Sequence, residues 1–245
     1  EIASCLVGSE MCIRDREYIV KTIVTTETIK TIAERNGVEM YDVYTGFKWI
    51  ANVMRENEGK KNYIGGGEES YGFLCEDFVR DKDAVSACVI LAEIAAWAKD
   101  QGLSLYQLLQ KIYVEYGFSK EKGISVVKKG KSGAEEIEAM MKKFRENPLT
   151  EIAGSKVTYF YDYSTLKGKD YAENETVTLD MPTTSNVLQY FTEDNTKVSI
   201  RPSGTEPKIK FYCEVHSKVK SIDELPEAEK AAEEKINQIK ASLGI

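Results

Sequence analysis

Along residues 17–118, segments with the hydrophobic pattern of a β-strand alternate with segments that have the pattern of an α-helix. Tyr18–Thr25 and Val38–Tyr44 are rich in β-branched and aromatic residues, which predicts strands. Segments with apolar residues at helical spacing predict four helices, Thr26–Arg35, Phe47–Glu56, Ala84–Asp100 and Leu105–Tyr116. Thr26 and Ser104 are suited to cap the first and the last of these helices. Strands that alternate with helices predict an α/β domain.

The pattern changes after Gly117. Glycines and lysines concentrate in Lys120–Gly133, which predicts a boundary or hinge near residues 117–124. Ser132 and Glu135 form a capping-box pattern that opens the next helix. Four strands and a closing amphipathic helix are then predicted, at Lys156–Tyr163, Asn186–Thr192, Lys197–Ile200, Lys208–Val215 and Ile222–Leu243.

The predicted fold class is therefore α/β, with a mixed-sheet α/β domain at residues 17–118 and a smaller α+β domain with an antiparallel sheet at residues 119–245. Residues 1–16 stand apart, because they show neither clean periodicity nor the features of a signal peptide. Within them, SCLVGSEMCIRDR resembles the in-frame translation of a sequencing-library adapter. We expect a non-native leader here, and a natural terminus is the alternative.

The composition and charge of the chain limit the kinds of molecule that it is expected to bind. The 245 residues are 42% hydrophobic and 30% charged, which is typical of a globular protein. The formal charge of -7 argues against a nucleic-acid partner, because such affinity comes mostly from cations that neutralise phosphates. A small phosphorylated ligand needs only a local cation cluster. No apolar run has the length that a membrane span requires.

The cysteines and the single histidine suggest no chemistry. Five cysteines without a CxxC pair argue against zinc and against a disulfide framework, and they favour the reducing cytoplasm. The one histidine, His216, ends a strand-like run without an obvious partner. We therefore predict that it is not catalytic.

The strongest candidate site is the segment RPSGTEPKIK, which begins at Arg201. Arg201 offers a guanidinium fork, Ser203 and Thr205 offer hydroxyls, and Gly204 lets the backbone approach a ligand. Residues 197–210 carry four cations and one anion, so the local charge is opposite to that of the whole chain. This combination favours a phosphate site, and an ordinary hairpin with a basic rim is the alternative.

A second candidate is the glycine-rich segment GGGEESYG, at Gly65–Gly72. Its carboxylates have the wrong sign for phosphate, and no Gly-Lys-Ser/Thr follows the glycines. A carboxylate can accept hydrogen bonds from neighbouring sugar hydroxyls, and Glu68 and Ser70 can point the same way in an extended loop. The alternative is a flexible surface turn. In the weaker segments TGFKW and RDKD, Lys48 is either an anion ligand or a solvated lysine, and Asp83 serves as a helix N-cap.

Together these segments resemble the α-D-phosphohexomutases, the family of phosphoglucomutase and phosphomannomutase. GGEESYGF and RPSGTEPKIKFY stand about 130 residues apart, in the order of that family's third- and fourth-domain motifs, and TGFKWI and VRDKDAV also match its third domain. The resemblance covers essentially residues 17–245. The GEES form of the sugar loop is closer to phosphoglucomutases than to phosphomannomutases.

The resemblance implies a role for nine residues. Those implied to bind the sugar substrate are Glu68, Ser70, Lys48 and Lys21, although Lys21 matches a basic position in some members only. Those implied to bind the phosphate that is not transferred are Arg201, Ser203, Gly204, Thr205 and Lys210. Lys210 stands where many relatives have arginine, so it keeps the charge but lacks the bidentate fork.

The family's phosphoserine and its Asp-rich magnesium loop have no counterpart in the sequence, so we assign no catalytic residue and no metal ligand. The resemblance implies that a full-length enzyme uses Mg²⁺ and a glucose 1,6-bisphosphate intermediate. We expect this chain to be the C-terminal half of such an enzyme, to lack domains one and two, to recognise a small phosphorylated sugar, and to be inactive alone. Two alternatives stay open, a free-standing sugar-phosphate-binding module and a structural protein that binds no ligand.

Overall fold

The first half of the chain builds a parallel sheet with one antiparallel edge. In the computed structural model, which describes residues 16–128, 130–204 and 206–245, the order of this sheet is β2-β1-β3-β4. Its strands are β1 Glu17–Thr22, β2 Glu39–Val43, β3 Asn62–Gly67 and β4 Phe73–Cys75. β1 pairs in parallel with β2 and β3, and β4 runs antiparallel to β3. The predicted leader lies almost wholly outside the described residues.

Four of the helices that the structure describes belong to this first unit, which ends at Gly117. They are α1 Thr28–Arg35, α2 Phe47–Asn57, α3 Ala84–Asp100 and α4 Leu105–Tyr116. The Ser104 cap is confirmed: its side chain accepts a hydrogen bond from the Gln107 backbone N–H in a full capping box. Asp83 caps α3 by accepting from the N–H groups of Val85 and Ser86. α1 begins later than predicted, with Thr26 Oγ1 accepting from the Thr28 N–H at 3.2 Å.

The core of this unit lies between α2 and one face of the sheet. Tyr18 and Val20 alternate along β1 and are almost fully buried. They pack in one cluster with Phe47, Ile50 and Met54, which recur at helical spacing along α2. The core is therefore formed by residues that alternate along β1 and by residues that recur at helical spacing along α2.

The second unit, Phe118–Ile245, is built on an antiparallel sheet of eight described strands. Along the main path the order is β5-β12-β11-β10-β7-β8-β9, and β6 pairs with β7. The strands are β5 Phe118–Val127, β6 Glu151–Ile152, β7 Ser155–Asp162, β8 Lys167–Asp170, β9 Glu175–Thr178, β10 Leu188–Thr192, β11 Lys197–Pro202 and β12 Lys208–Ser217. The predicted fold class is confirmed, but this unit is the longer of the two.

Two helices, α5 Gly130–Glu146 and α6 Leu225–Leu243, pack against this sheet. α6 buries Ile236 and Ile239, and Phe144 of α5 meets Phe211 of β12 edge to face, with 6.3 Å between ring centroids. α5 begins two residues before the predicted cap at Ser132. Much of the segment in which a hinge was predicted belongs to β5, whose backbone pairs with β12 along all ten residues.

Candidate functional site

The first candidate site lies where the parallel strands end. β1, β2 and β3 finish at Thr22, Val43 and Gly67, so the segments that follow them emerge at the same edge of the sheet. The chain goes from β1 to a neighbour on one side and then to β3 on the other, which makes a topological switch point. Ligands of open α/β sheets bind at such points.

Glu68, the first residue after β3, is held by its neighbours. Its Oε1 accepts a hydrogen bond of 2.6 Å from the backbone N–H of Gly46, the residue that precedes α2. A carboxylate is stabilised beside a helix N-terminus, where the unpaired N–H groups carry partial positive charge. The Glu68 N–H also donates to the carbonyl of Gly72 at 2.7 Å. The structure therefore joins two motifs that lie 22 residues apart in the sequence.

Glu69 is a site residue that sequence reasoning missed. Its Oε2 accepts from Thr22 Oγ1 at 3.1 Å, and its Oε1 accepts from Ser70 Oγ at 3.2 Å. Glu69 therefore ties the exposed Ser70 to the end of β1. The doubled acid in GGGEES could have signalled a second carboxylate with a separate task.

The two lysines predicted to bind substrate occupy different environments. Lys48 is exposed, and its ammonium lies 5.1 Å from the centre of the Trp49 ring. Lys21 is fully buried, with its Nζ 2.7 Å from Asp42 and 3.0 Å from Glu27. Burial alone would lower the pKa of Lys21, but the two carboxylates outweigh it and raise the pKa above its ordinary value. The structure thus places Lys21 in an ion-pair cluster, and its contact with substrate stays a prediction.

The second candidate site is the hairpin between β11 and β12. Arg201 and Lys210 are directly opposed across these strands, and Ser125 of β5 lies opposite Lys210 in the same row. Opposed residues of an antiparallel pair have Cβ atoms about 5 Å apart, and like charges there repel each other. An anion bound between Arg201 and Lys210 would relieve that repulsion.

The loop of this hairpin is closed by its own backbone. The Ser203 N–H donates to the carbonyl of Lys208 at 2.8 Å, and Ser203 Oγ accepts from the Glu206 N–H at 3.3 Å. Glu206 pairs with Lys208, a contact that lowers the pKa of Glu206. Gly204 is exposed, and a Cβ there would meet open space. Thr205 lies outside the described residues, so its phosphate-binding role stays a prediction.

A buried polar cluster lies on β11 and β12 at the end of these strands away from the loop. Lys197 and Glu214, both almost fully buried, are paired at 3.1 Å between Nζ and Oε2. Ser119 Oγ donates to Glu214 Oε1 at 3.1 Å and lies 3.3 Å from Nδ1 of His216. His216 therefore has a partner that the sequence did not reveal, on a strand 97 residues away.

We expect the unit Phe118–Ile245 to lose stability as the pH falls from 7.5 to 5.5. Burial lowers the pKa of His216 below its ordinary value of 6.5, with Glu214 opposing and Lys218 adding to this effect. The unfolded chain then binds a proton more readily than the folded one, so acidification favours unfolding. Urea unfolding at both pH values, compared between wild type and His216→Gln, measures this. An equal loss of stability in the variant would assign it to other groups.

The described residues contain neither a cluster of metal-ligating side chains nor a helix that could span a membrane. Across residues 16–128, 130–204 and 206–245, no three His, Cys, Asp or Glu side chains are grouped so that they could hold a metal ion. The magnesium ion that the resemblance implies for a full-length enzyme stays a prediction. None of the described helices is long and apolar enough to cross a membrane.

Both halves of the chain match models of one protein family. Residues 3–116 match the family model described as phosphoglucomutase/phosphomannomutase, alpha/beta/alpha domain III. Residues 125–232 match the model of the C-terminal domain of the same family. The chain belongs to the phosphoglucomutase/phosphomannomutase family. The two matched models correspond in order to the two units of the structure.

Individual members of the family are similar over most of this chain. A phosphoglucomutase of Staphylococcus haemolyticus is 35% identical over 202 residues, which cover 82% of this chain and 36% of that protein. One from Staphylococcus aureus strain MRSA252 is 40% identical over 194 residues, covering 79% and 35%. The chain thus spans about a third of the length of these curated relatives.

Solved structures of the family share the fold. Parafusin, a phosphoglucomutase from Paramecium, superimposes with a TM-score of 0.55 at 19% identity, over 83% of this chain and 33% of its own. A phosphoglucomutase/phosphomannomutase family protein from Burkholderia thailandensis also gives 0.55, at 16% identity, over 99% and 41%.

Proposed function

We propose that this chain supplies substrate recognition for a phosphohexomutase, an intramolecular phosphotransferase that interconverts hexose 1-phosphate and hexose 6-phosphate. Glucose is the favoured hexose, because the GEES loop resembles that of phosphoglucomutases and the relatives described above carry that name. Glu68 and Ser70 would accept and donate hydrogen bonds to sugar hydroxyls. A cytoplasmic location is part of this proposal.

The observation that carries the proposal is the pairing of Arg201 with Lys210. The strand register sets two cations side by side at the end of a closed hairpin, although the chain as a whole is acidic. Lys208 is already paired with Glu206. A phosphate dianion would accept hydrogen bonds from the Arg201 fork and from the Lys210 ammonium, with Ser203 close by in the loop.

The covalent chemistry is assigned to domains that these two family models do not describe. We propose that a phosphoserine and a magnesium site on domains one and two transfer the phosphoryl group through glucose 1,6-bisphosphate. Magnesium would supply charge stabilisation during that transfer. The residues of this chain would hold the sugar and the phosphate that is not being transferred.

Replacing Arg201 with alanine is expected to weaken binding of glucose 1-phosphate by about 10- to 100-fold, because a charged hydrogen-bond donor is lost. Isothermal titration calorimetry on the 245-residue chain measures this. Lys230→Ala is the matched control, since it removes an exposed cation from α6 of the same unit. Equal weakening in both variants, or no binding by the wild type, would refute the phosphate site.

A turnover assay separates recognition from catalysis. We expect no conversion of glucose 1-phosphate by this chain in the presence of Mg²⁺. Conversion that Arg201→Ala abolishes would contradict the assignment of chemistry to other domains. Binding without conversion also suits the free-standing module, and an upstream reading frame that encodes the serine and magnesium loops would exclude that alternative.

A further inference from the structure

The sequence contains a single Asn-Gly pair, Asn36-Gly37, and the structure places it directly after α1. Asn36 is the C-cap of that helix, and Gly37 has a positive φ of 66°, which glycine adopts without strain. Asn36 is half-buried, whereas Gly37 is exposed, and a Cβ at Gly37 would meet nothing within 4 Å. The turn after α1 is therefore open to water.

An Asn-Gly pair can lose ammonia without an enzyme. The backbone nitrogen of Gly37 gives up its proton and attacks Cγ of Asn36, and Nδ2 leaves as ammonia, which closes a succinimide ring. Water then opens the ring at either carbonyl carbon, so the product is aspartate or isoaspartate. The net change consumes water, releases ammonia and replaces the amide with a carboxylate. Glycine favours ring closure because no Cβ hinders the approach of its nitrogen.

The hydrogen bonds of this turn belong to a helix end. The Gly37 N–H donates to the carbonyl of Glu34 at 3.2 Å, and Asn36 Nδ2 donates to the carbonyl of Ile32 at 2.8 Å. Hydrogen bonds at element ends open at a much lower free energy than those of the core. Local opening can therefore release both reacting groups while the core between α2 and the sheet stays folded.

Asn36 and its neighbour Arg35 also tie α1 to the end of α4. Asn36 Nδ2 donates to Tyr116 Oη at 3.4 Å, and Arg35 Nη1 donates to the carbonyl of Glu115. A carboxylate at position 36 has no proton to donate, and it would face the Ile32 carbonyl at the negative end of the helix dipole. The Tyr116 hydroxyl could turn and donate to that carboxylate, but the Ile32 carbonyl has no proton to offer.

We infer that Asn36-Gly37 is a site of spontaneous deamidation, and that the product loosens α1 from the end of α4. Isoaspartate has the larger effect, because it also adds a methylene group to the backbone ahead of Gly37. The inference involves no residue of the sugar loop or of the phosphate hairpin. It therefore stands or falls separately from the proposed function.

The test follows the folded 245-residue chain over time at neutral pH. Digestion with a lysine-specific protease gives the peptide 31–48, which contains Asn36 as its only asparagine and has no glutamine. Asn57 is the matched control, because its Nδ2 also donates to the carbonyl four residues before it, at 2.9 Å, but Glu58 follows it. We expect tandem mass spectrometry to show exchange of amide for acid several times faster at Asn36 than at Asn57.

Two variants separate the reaction from its consequence. Asn36→Gln keeps an amide but does not readily close the ring, so the mass gain of peptide 31–48 should disappear on the same time scale. Asn36→Asp carries the product from the start and should lower the melting temperature of the first unit by about 4–8 °C, the shift expected when a domain of this size loses one hydrogen bond.

Three results would each overturn the inference. They are equal rates at Asn36 and Asn57, an undiminished mass gain in Asn36→Gln, and an unchanged melting temperature in Asn36→Asp. Loss of glucose 1-phosphate binding by Arg201→Ala would still support the proposed function in that event.

Discussion

Replacing Lys197 with methionine is expected to destabilise the unit Phe118–Ile245 by about 3–5 kcal/mol, the usual cost of leaving one member of a buried ion pair without its partner. Lys197 and Glu214 are 1% and 3% exposed, so water cannot solvate the carboxylate that remains. Ser119 would still donate to Glu214, but a neutral donor does not balance a buried charge. Urea unfolding, with hydrogen exchange of β11 and β12 as the local probe, measures the loss.

Two further variants give this prediction its control. Lys197→Met combined with Glu214→Leu removes both charges and should recover most of the lost stability, because apolar replacements of a buried pair are often neutral. Lys167→Met removes an exposed lysine from β8 and should change stability by less than about 0.5 kcal/mol. If Lys197→Met is no more destabilising than Lys167→Met, the pair is not a structural element of the sheet.

The ion pair between Lys197 and Glu214 also helps to position the residues of the phosphate site. Lys197 and Arg201 lie on the same strand, and both follow the register that sets Glu214 and Lys210 opposite them. A one-residue slip of β11 would bury Arg201 on the apolar face and expose Ile200. A buried ion pair at one end of the strand opposes such a slip, so it helps to hold Arg201 beside Lys210.

Local patterns in the sequence predicted much of the fold. The four described helices of the first unit were confirmed within a few residues. The residues that form their apolar faces and caps lie close together in the sequence, as at Ser104, so local patterns reveal them. β8 and β9 were missed. They are four-residue strands of mixed polar composition, and β9 buries none of its residues fully, so their backbone pairing is what defines them.

β5 was hidden for a similar reason. Its lysines and glycine suggested a boundary or hinge, and the two units do divide at Gly117. The segment itself is nevertheless a strand, which is stabilised by pairing with β12 rather than by its own propensity. Gly123 faces Tyr212 across that pair. Sequence distance hides such a partner, since the contact joins segments about 90 residues apart.

The candidate site could be predicted as residue types but not as contacts. Glu68 was selected for its carboxylate, whereas the Gly46 N–H that orients it becomes visible only when two loops meet. Lys21 is a second case. The family resemblance implied a substrate ligand there, and this role stays a prediction. The ion pairs of Lys21 with Asp42 and Glu27 could not be predicted, because no local sequence pattern indicates a tertiary ion pair.

Replacing Gly66 with alanine is expected to destabilise the first unit by about 3 kcal/mol, the upper part of the range for overpacking a tightly packed position. A Cβ at this residue would lie 2.2 Å from the carbonyl oxygen of Val20 and 2.7 Å from the hydroxyl of Tyr63. The Val20 oxygen is backbone of the neighbouring strand, so β3 would have to move away from β1.

This prediction distinguishes two roles for the glycine run. If Gly65–Gly67 formed part of a flexible loop, alanine would be tolerated, but these residues belong to β3 and approach β1 closely. Gly123→Ala in β5 is the control, since its Cβ would meet nothing within 4 Å. Thermal unfolding and hydrogen exchange of β1 and β3 measure the difference. Glu68 follows β3 directly, so displacement of that strand should also weaken sugar binding. Equal stability of the Gly66→Ala and Gly123→Ala variants would instead indicate that Gly65–Gly67 form a flexible loop.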